Sequence, residues 1–176
     1  MNKKLIIRII VPVLILVALT VIWTVKTHPT PTAIDDHTTT ENKEDFLLEA
    51  TSVDLETLTS YDLPIIIDFG SDSCIPCKEM APVLETMNAE MQGKAIIKFI
   101  DVWENTEAAD GFPLQVIPTQ IFINADGTPY VPGDDIEMEF TMYSDDESGA
   151  HAFTVHQGGL TEDQMRAILA DMGVTE

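Results

Sequence analysis

Ile65-Ile66-Ile67-Asp68-Phe69-Gly70-Ser71-Asp72-Ser73-Cys74-Ile75-Pro76-Cys77 decides the fold of this chain. Its first five residues follow Pro64 and are apolar at every position but one, the pattern of a central strand covered on both faces. Gly70 breaks the run. Ser71, Asp72 and Ser73 are helix-capping residue types, and after Cys74 apolar residues return at Met80, Val83, Leu84, Met87 and Met91, a helical spacing. The stretch therefore predicts a buried strand, a short turn and a helix over Cys74 to Met91 whose first turn carries two cysteines. Pro82 predicts a kink in that helix, and Gly93 its end.

Working outward, Phe46 to Thr51 predicts a first strand, Asp54 caps a short helix through Thr59, and Lys94 to Val102 gives a further strand. Asn105 to Gly111 predicts a helix. Thr119 to Asn124 is a strand introduced by Pro118, and Asp126-Gly127 is a turn signal. Thr161 to Met172, with Glu162 and Asp163 in its first turn, predicts a final helix. Between them Glu137 to Tyr143 alternates polar and apolar, which predicts a strand of an extended hairpin near 130–153. Strands alternating with helices around one core, and late strands with no helix between them, predict an α/β sandwich on a mixed central sheet.

The 176 residues carry a net charge of −21, unevenly spread. Four of the nine basic residues (Lys3, Lys4, Arg8 and Lys26) lie in or beside an N-terminal apolar run, and all 30 acids lie beyond it. A domain that acidic repels nucleic acid and anionic lipid, so nucleic-acid binding is disfavoured. The apolar run, residues 5–25, spans about 26–31 Å as a helix, near the thickness of a bilayer core. Its flanking charges put the N-terminus in the cytoplasm and everything after Lys26 outside. The expected organisation is a single-pass membrane anchor over 1–26, a Thr- and Pro-rich linker over 27–43, and one domain over 44–176. A cleaved signal peptide is the rival reading, although Thr20 to Thr24 makes a poor cleavage site. Either way the domain stands where disulfide chemistry is at home.

The chemistry is carried by few residues. Two thiols three apart on one helix face can reach bonding distance. Cys74 at the helix N-terminus meets unpaired N–H groups that favour its thiolate, the nucleophile of disulfide exchange, while nearby Asp72 opposes it. Cys77, one turn deeper, fits a resolving thiol. Asp68 inside an apolar strand is either a buried acid with a raised pKa, able to accept and return a proton, or a strand-end cap for the following loop. Pro118 directly before a strand suggests a cis peptide, with Ile117 able to pair with an extended partner.

With Ile67-Asp68-Phe69, Cys74-Ile75-Pro76-Cys77-Lys78, Ala81-Pro82, Ile117-Pro118-Thr119 and Asp126-Gly127 in this order and spacing, residues 44 to 172 resemble the thioredoxin family. The resemblance implies Cys74 as attacking thiol, Cys77 as resolving thiol, Asp68 as buried proton carrier and Pro118 as the cis-proline beside the disulfide; the candidate substrate-binding residues are Ile75, Pro76, Ile117 and Pro118. No cofactor and no metal ligand is expected in this reading. Ser73 and Gly70 stand where the family carries aromatic residues, and the acidic segment between Tyr130 and Phe153 is longer than the family's, so partner identity does not carry over.

The expected function is extracytoplasmic thiol–disulfide exchange, reducing protein disulfides, with electrons supplied by a membrane donor of the CcdA/DsbD type. Three alternatives stay open: a thiol oxidase or isomerase, a copper-binding metallochaperone using the cysteines with Met138, Met142, His151 or His156, and a non-catalytic adaptor whose fold presents a surface.

Overall fold

A computed structural model describes residues 44–175. The expected anchor (1–26) and linker (27–43) lie outside them. Among the described residues no helix is long and apolar enough to cross a membrane.

The elements in chain order are α1 (Leu55–Thr59), β1 (Ile65–Gly70), α2 (Ile75–Glu90), β2 (Ile96–Asp101), a 3₁₀ turn (Thr106–Ala109), β3 (Thr119–Ile123), β4 (Thr141–Ser144), β5 (His151–Gln157) and α3 (Glu162–Asp171). The five strands form one sheet in the order β2-β1-β3-β5-β4. β1 is parallel to β2 and antiparallel to β3, so the sheet is mixed about its central strand.

Alternation along β1 divides the core. Ile65, Ile67 and Phe69 face α1 and share a cluster with Leu58, Ile96, Ile100, Ile121 and Val155. Ile66 faces the other way, where Ile97 and Phe122 meet Met80, Leu84 and Met87 of α2 and Met165, Ile168 and Leu169 of α3. Every residue of β1 is buried, and a core aliphatic contributes about 1.5–3 kcal/mol. A carboxylate in that strand therefore gives up stability that Ile or Val would supply, which argues for a chemical use.

Local signals explain the ends of the elements. Asp54 accepts from Thr57 N (3.1 Å) to cap α1. Thr161 opens α3 with a capping box closed by Gln164. α2 runs through Pro82 as one helix, and the Pro82 carbonyl is taken by the Thr86 hydroxyl (2.9 Å).

Three expectations need correction. The first strand, Phe46 to Thr51, is a single parallel bridge between Glu49 and Phe99. Ahead of that bridge side chains take the carbonyls: Asn88 and Gln92 bond Phe46 O, and Lys98 Nζ bonds Leu47 O and the preceding Glu44 O. The helix over Asn105 to Gly111 is one 3₁₀ turn without a side-chain cap, ended by Gly111 at φ 85°. The strand over Glu137 to Tyr143 begins only at Thr141. Met138 and Phe140 do alternate inward, but they pack on the α2–α3 core instead of pairing in a ladder. The extended hairpin is thus a loop followed by one added edge strand, β4, paired to β5.

Candidate active site

The C-terminal ends of β1 and β2 and the start of β3 meet at one end of the sheet, where Phe69 pairs with Thr119 and Gly70 with Asp101. The turn after β1 is pinned there. Cys74 N bonds Ser71 O (3.0 Å), Ser73 N bonds the Ser71 hydroxyl (3.2 Å), and Asp72 N bonds Asp101 Oδ2 (2.8 Å). The other oxygen of Asp101 accepts from Trp103 N and Glu104 N (2.9 and 3.2 Å), tying the loop after β2 to the same point.

Cys74 is the N-cap of α2, and its Sγ accepts from Cys77 N at 3.4 Å. It is joined to Cys77 in a disulfide with a Cα–Cα distance of 5.3 Å. The partners differ in access: Cys77 is buried and Cys74 half-exposed. Only one sulfur can therefore be approached from solvent, and it is the one at the helix N-terminus, whose partial positive charge stabilises an anion by about 0.3–1 kcal/mol or more. Asp72 is exposed, where solvent and salt screen its charge.

Opposite the disulfide, the Ile117–Pro118 peptide is cis. The Val116 carbonyl is taken by the Thr119 hydroxyl (2.7 Å) and the Pro118 carbonyl by Gly158 N (2.9 Å), while the Ile117 carbonyl faces Cys74 Sγ at 3.9 Å. Pro118 is buried and Pro76 exposed. The rim carries large exposed apolar residues: Ile75 (72%), Trp103 (63%) and Val116 (53%).

Asp68 lies beneath, fully buried, and structure places it by Cys77. A Cβ on Gly70 would stand 3.3 Å from Asp68 Oδ2, 3.3 Å from Cys77 Sγ and 2.8 Å from Phe99 Cε2. The bare backbone at 70 is what lets these three groups converge. Burial pushes the Asp68 carboxyl up to about 7, with the Gln120 hydrogen bond pulling the other way. Gln120 Nε2 donates to Asp68 Oδ1 at 2.6 Å from the antiparallel register position across β3.

All seven sequence-derived candidates, Asp68, Cys74, Ile75, Pro76, Cys77, Ile117 and Pro118, lie at or directly beneath this end of the sheet. Sequence reasoning missed Gln120 and Trp103. The signal for Gln120 was present: one amide in the apolar strand Thr119 to Ile123 is the same anomaly that singled out Asp68. Met138, Met142, His151 and His156 are engaged elsewhere than at the cysteines. Met138 packs on the α2–α3 core, Met142 is half-exposed on β4, His151 bonds Phe153 O and Thr154, and His156 bonds Glu139 O.

The thioredoxin family model matches residues 48–135, half of the chain. The thioredoxin of Staphylococcus aureus (strain Mu50) is 44% identical over 64 residues, which cover 36% of this chain and 61% of that protein. The chain thus spans less than two thirds of the length of the curated relatives it matches. The crystal structure of chloroplastic thioredoxin z superposes with a TM-score of 0.51 at 23% identity, covering 73% of this chain and 96% of that one, a likeness of fold.

Proposed function

The chain belongs to the thioredoxin family, and on that footing we propose that it is a thiol–disulfide oxidoreductase that reduces disulfides of protein substrates outside the cytoplasm. The observation that carries the reading is the asymmetric disulfide: Cys74 half-exposed at a helix N-terminus, Cys77 buried with a raised-pKa carboxyl beside it.

In the reduced protein the Cys74 thiolate attacks one sulfur of a substrate disulfide. A mixed disulfide forms and the first substrate sulfur leaves as a thiolate. An extended substrate segment lies along Ile117, with Ile75, Pro76 and Val116 against its side chains. Asp68, ionised, takes the proton from the Cys77 thiol. The Cys77 thiolate then attacks Cys74 Sγ, the second substrate thiolate departs, and two electrons have passed from the dithiol to the substrate. The protein is left with the Cys74–Cys77 disulfide.

The extracytoplasmic setting rests on the apolar, positively flanked run at residues 5–25. In that setting the disulfide is recharged by a membrane dithiol donor, in keeping with a CcdA/DsbD-type conduit. The Ile-Pro pair between the cysteines and the buried acid favour the reductive direction over oxidation or isomerisation.

Two measurements test this. Insulin reduction with dithiothreitol as donor is accelerated by the wild type and not by Cys74→Ser. A membrane-impermeant alkylating reagent applied to intact cells labels the reduced thiols. Protection of Cys74 from that reagent until lysis would overturn the location, and a fully oxidised pool in growing cells would overturn the direction.

A further inference from the structure

Gln120 sits in the middle of a buried strand, where a primary amide is tolerated only if its polar atoms find partners. Its Nε2 has two, Asp68 Oδ1 at 2.6 Å and Met80 Sδ at 3.5 Å, whereas its Oε1 is buried without a partner among the described residues, so the amide is held by its donor alone. Met80 Sδ is itself held by Leu160 N at 3.4 Å. Asp68 Oδ2 accepts nothing from the protein and borders the same small space as Cys77 Sγ, beside Gly70. The two oxygens of one carboxyl are therefore in different situations: one is gripped across the sheet, the other faces the thiol.

We infer that Gln120 is a positioning residue for the second half of the exchange, fixing Asp68 through Oδ1 so that Oδ2 faces Cys77 and receives its proton. This rests on the functional reading above. The terminal torsion of Asp is soft, so an ungripped carboxyl would turn away from the sulfur. The side chains placed at Asp68 are Gln120 from β3, itself against Met80 of α2, and, around Gly70, Cys77 from α2 and Phe99 from β2; the charged residues Glu49, Asp72, Lys78 and Glu85 line the cavity on the far side of Cys77 and Phe99. None of the side chains placed at Asp68 or around Gly70 carries a positive charge. Lys98 of β2 has the opposite parity and spends its ammonium on Glu44 O and Leu47 O. The choice of an amide matters. A lysine or arginine here would hold the carboxyl ionised and prevent it from taking a proton, whereas a neutral amide orients it without fixing its charge. When Oδ2 takes the Cys77 proton, one O–H bond forms, one S–H bond breaks, and the Nε2–H···Oδ1 bond persists.

The test uses the full-length reduced protein and a peptide disulfide whose two thiols are released in separate, optically resolved phases, between pH 5.5 and 9. Gln120→Met keeps the length and the apolar contacts but removes the donor. It slows the second phase about tenfold at pH 7 and moves its pH midpoint up by about one unit, because the lost hydrogen bond favoured the ionised carboxyl. It leaves the first phase unchanged, and it adds nothing in an Asp68→Asn background. A second-phase midpoint that stays in place, or equal slowing of both phases, would overturn the inference. No release of either thiol by the wild type would remove the functional reading and this inference with it. A measurement on the wild type alone guards against a variant that does not fold: the Gln120 side-chain amide resonances shift with the same pH midpoint as the Asp68 carboxyl carbon. An amide that ignores that titration contradicts the inference.

Discussion

Asp68 is destabilising where it stands, and the direction can be measured. Its folded-state pKa, about 7, is raised above the ordinary 3.8. Between those values the native protein holds a proton that the unfolded chain has released, so stability falls as pH rises through that window and stays reduced above it. Asp68→Asn removes the loss. The variant is more stable than wild type at pH 8 by up to about 4 kcal/mol, and about equal to it below pH 4, in denaturant titrations at the two pH values. The same substitution slows release of the second substrate thiol and abolishes its rise with pH near 7. A gain in stability coupled to a loss of rate distinguishes a catalytic carboxylate from a structural one. Gly70 gives the companion test. Gly70→Ala puts a methyl group 2.8 Å from Phe99 and 3.3 Å from both Asp68 and Cys77. It leaves Cys74 attack intact and slows Cys77 resolution by about tenfold, read in the same two-phase assay.

At the scale of elements, legibility followed the source of each element's stability. β1 and α2 were readable because their burial is written in local periodicity, but the N-cap of Ile75–Glu90 is Cys74, not Ser71, Asp72 or Ser73, and the helix stops at Glu90, short of Gly93. α3 was readable from its cap. Thr161→Ala, which breaks that capping box, lowers stability by about 1 kcal/mol in denaturant unfolding without changing exchange rates. The failures share one cause: tertiary contacts decided the backbone's partners. Residues 46–51 look like a strand, but Asn88, Gln92 and Lys98 supply the hydrogen bonds a neighbouring strand would have given. Residues 137–140 alternate because Met138 and Phe140 reach the core. The pairing of Asp68 with Gln120 was invisible for the same reason. It depends on the antiparallel register of β1 and β3 across 52 residues, which no local pattern specifies.

At the scale of the molecule, the edge strand β4 and the charge shape what surrounds the site. β4 extends the sheet beyond β5, and its Tyr143 hydroxyl accepts from Gln115 Nε2 (2.9 Å) in the loop that leads to the cis-proline. The acidic turn at Asp145, Asp146 and Glu147 lies at the end of the sheet opposite Cys74, because β5 reaches the site only at Gln157, across from Thr119. The acids that matter to a substrate are nearer. Asp72, two residues before Cys74, borders a cleft that Asp45, Glu49, Asp54 and Glu104 line with one cation, Lys98. Disulfide peptides with flanking lysines are therefore reduced about tenfold faster than those with flanking glutamates at low salt, and the difference closes by about 0.5 M salt. Stopped-flow rates against ionic strength read it directly. The central claim is that Cys74 attacks and Cys77 resolves. Mass spectrometry of reduced Cys77→Ser after mixing with a peptide disulfide tests it most directly. The account predicts one peptide bound covalently to Cys74 and stable in the absence of added thiol, whereas wild type under the same conditions shows no adduct, two released thiols and the Cys74–Cys77 disulfide. An unmodified Cys77→Ser protein, or an adduct that wild type retains as fully as the variant does, would contradict it.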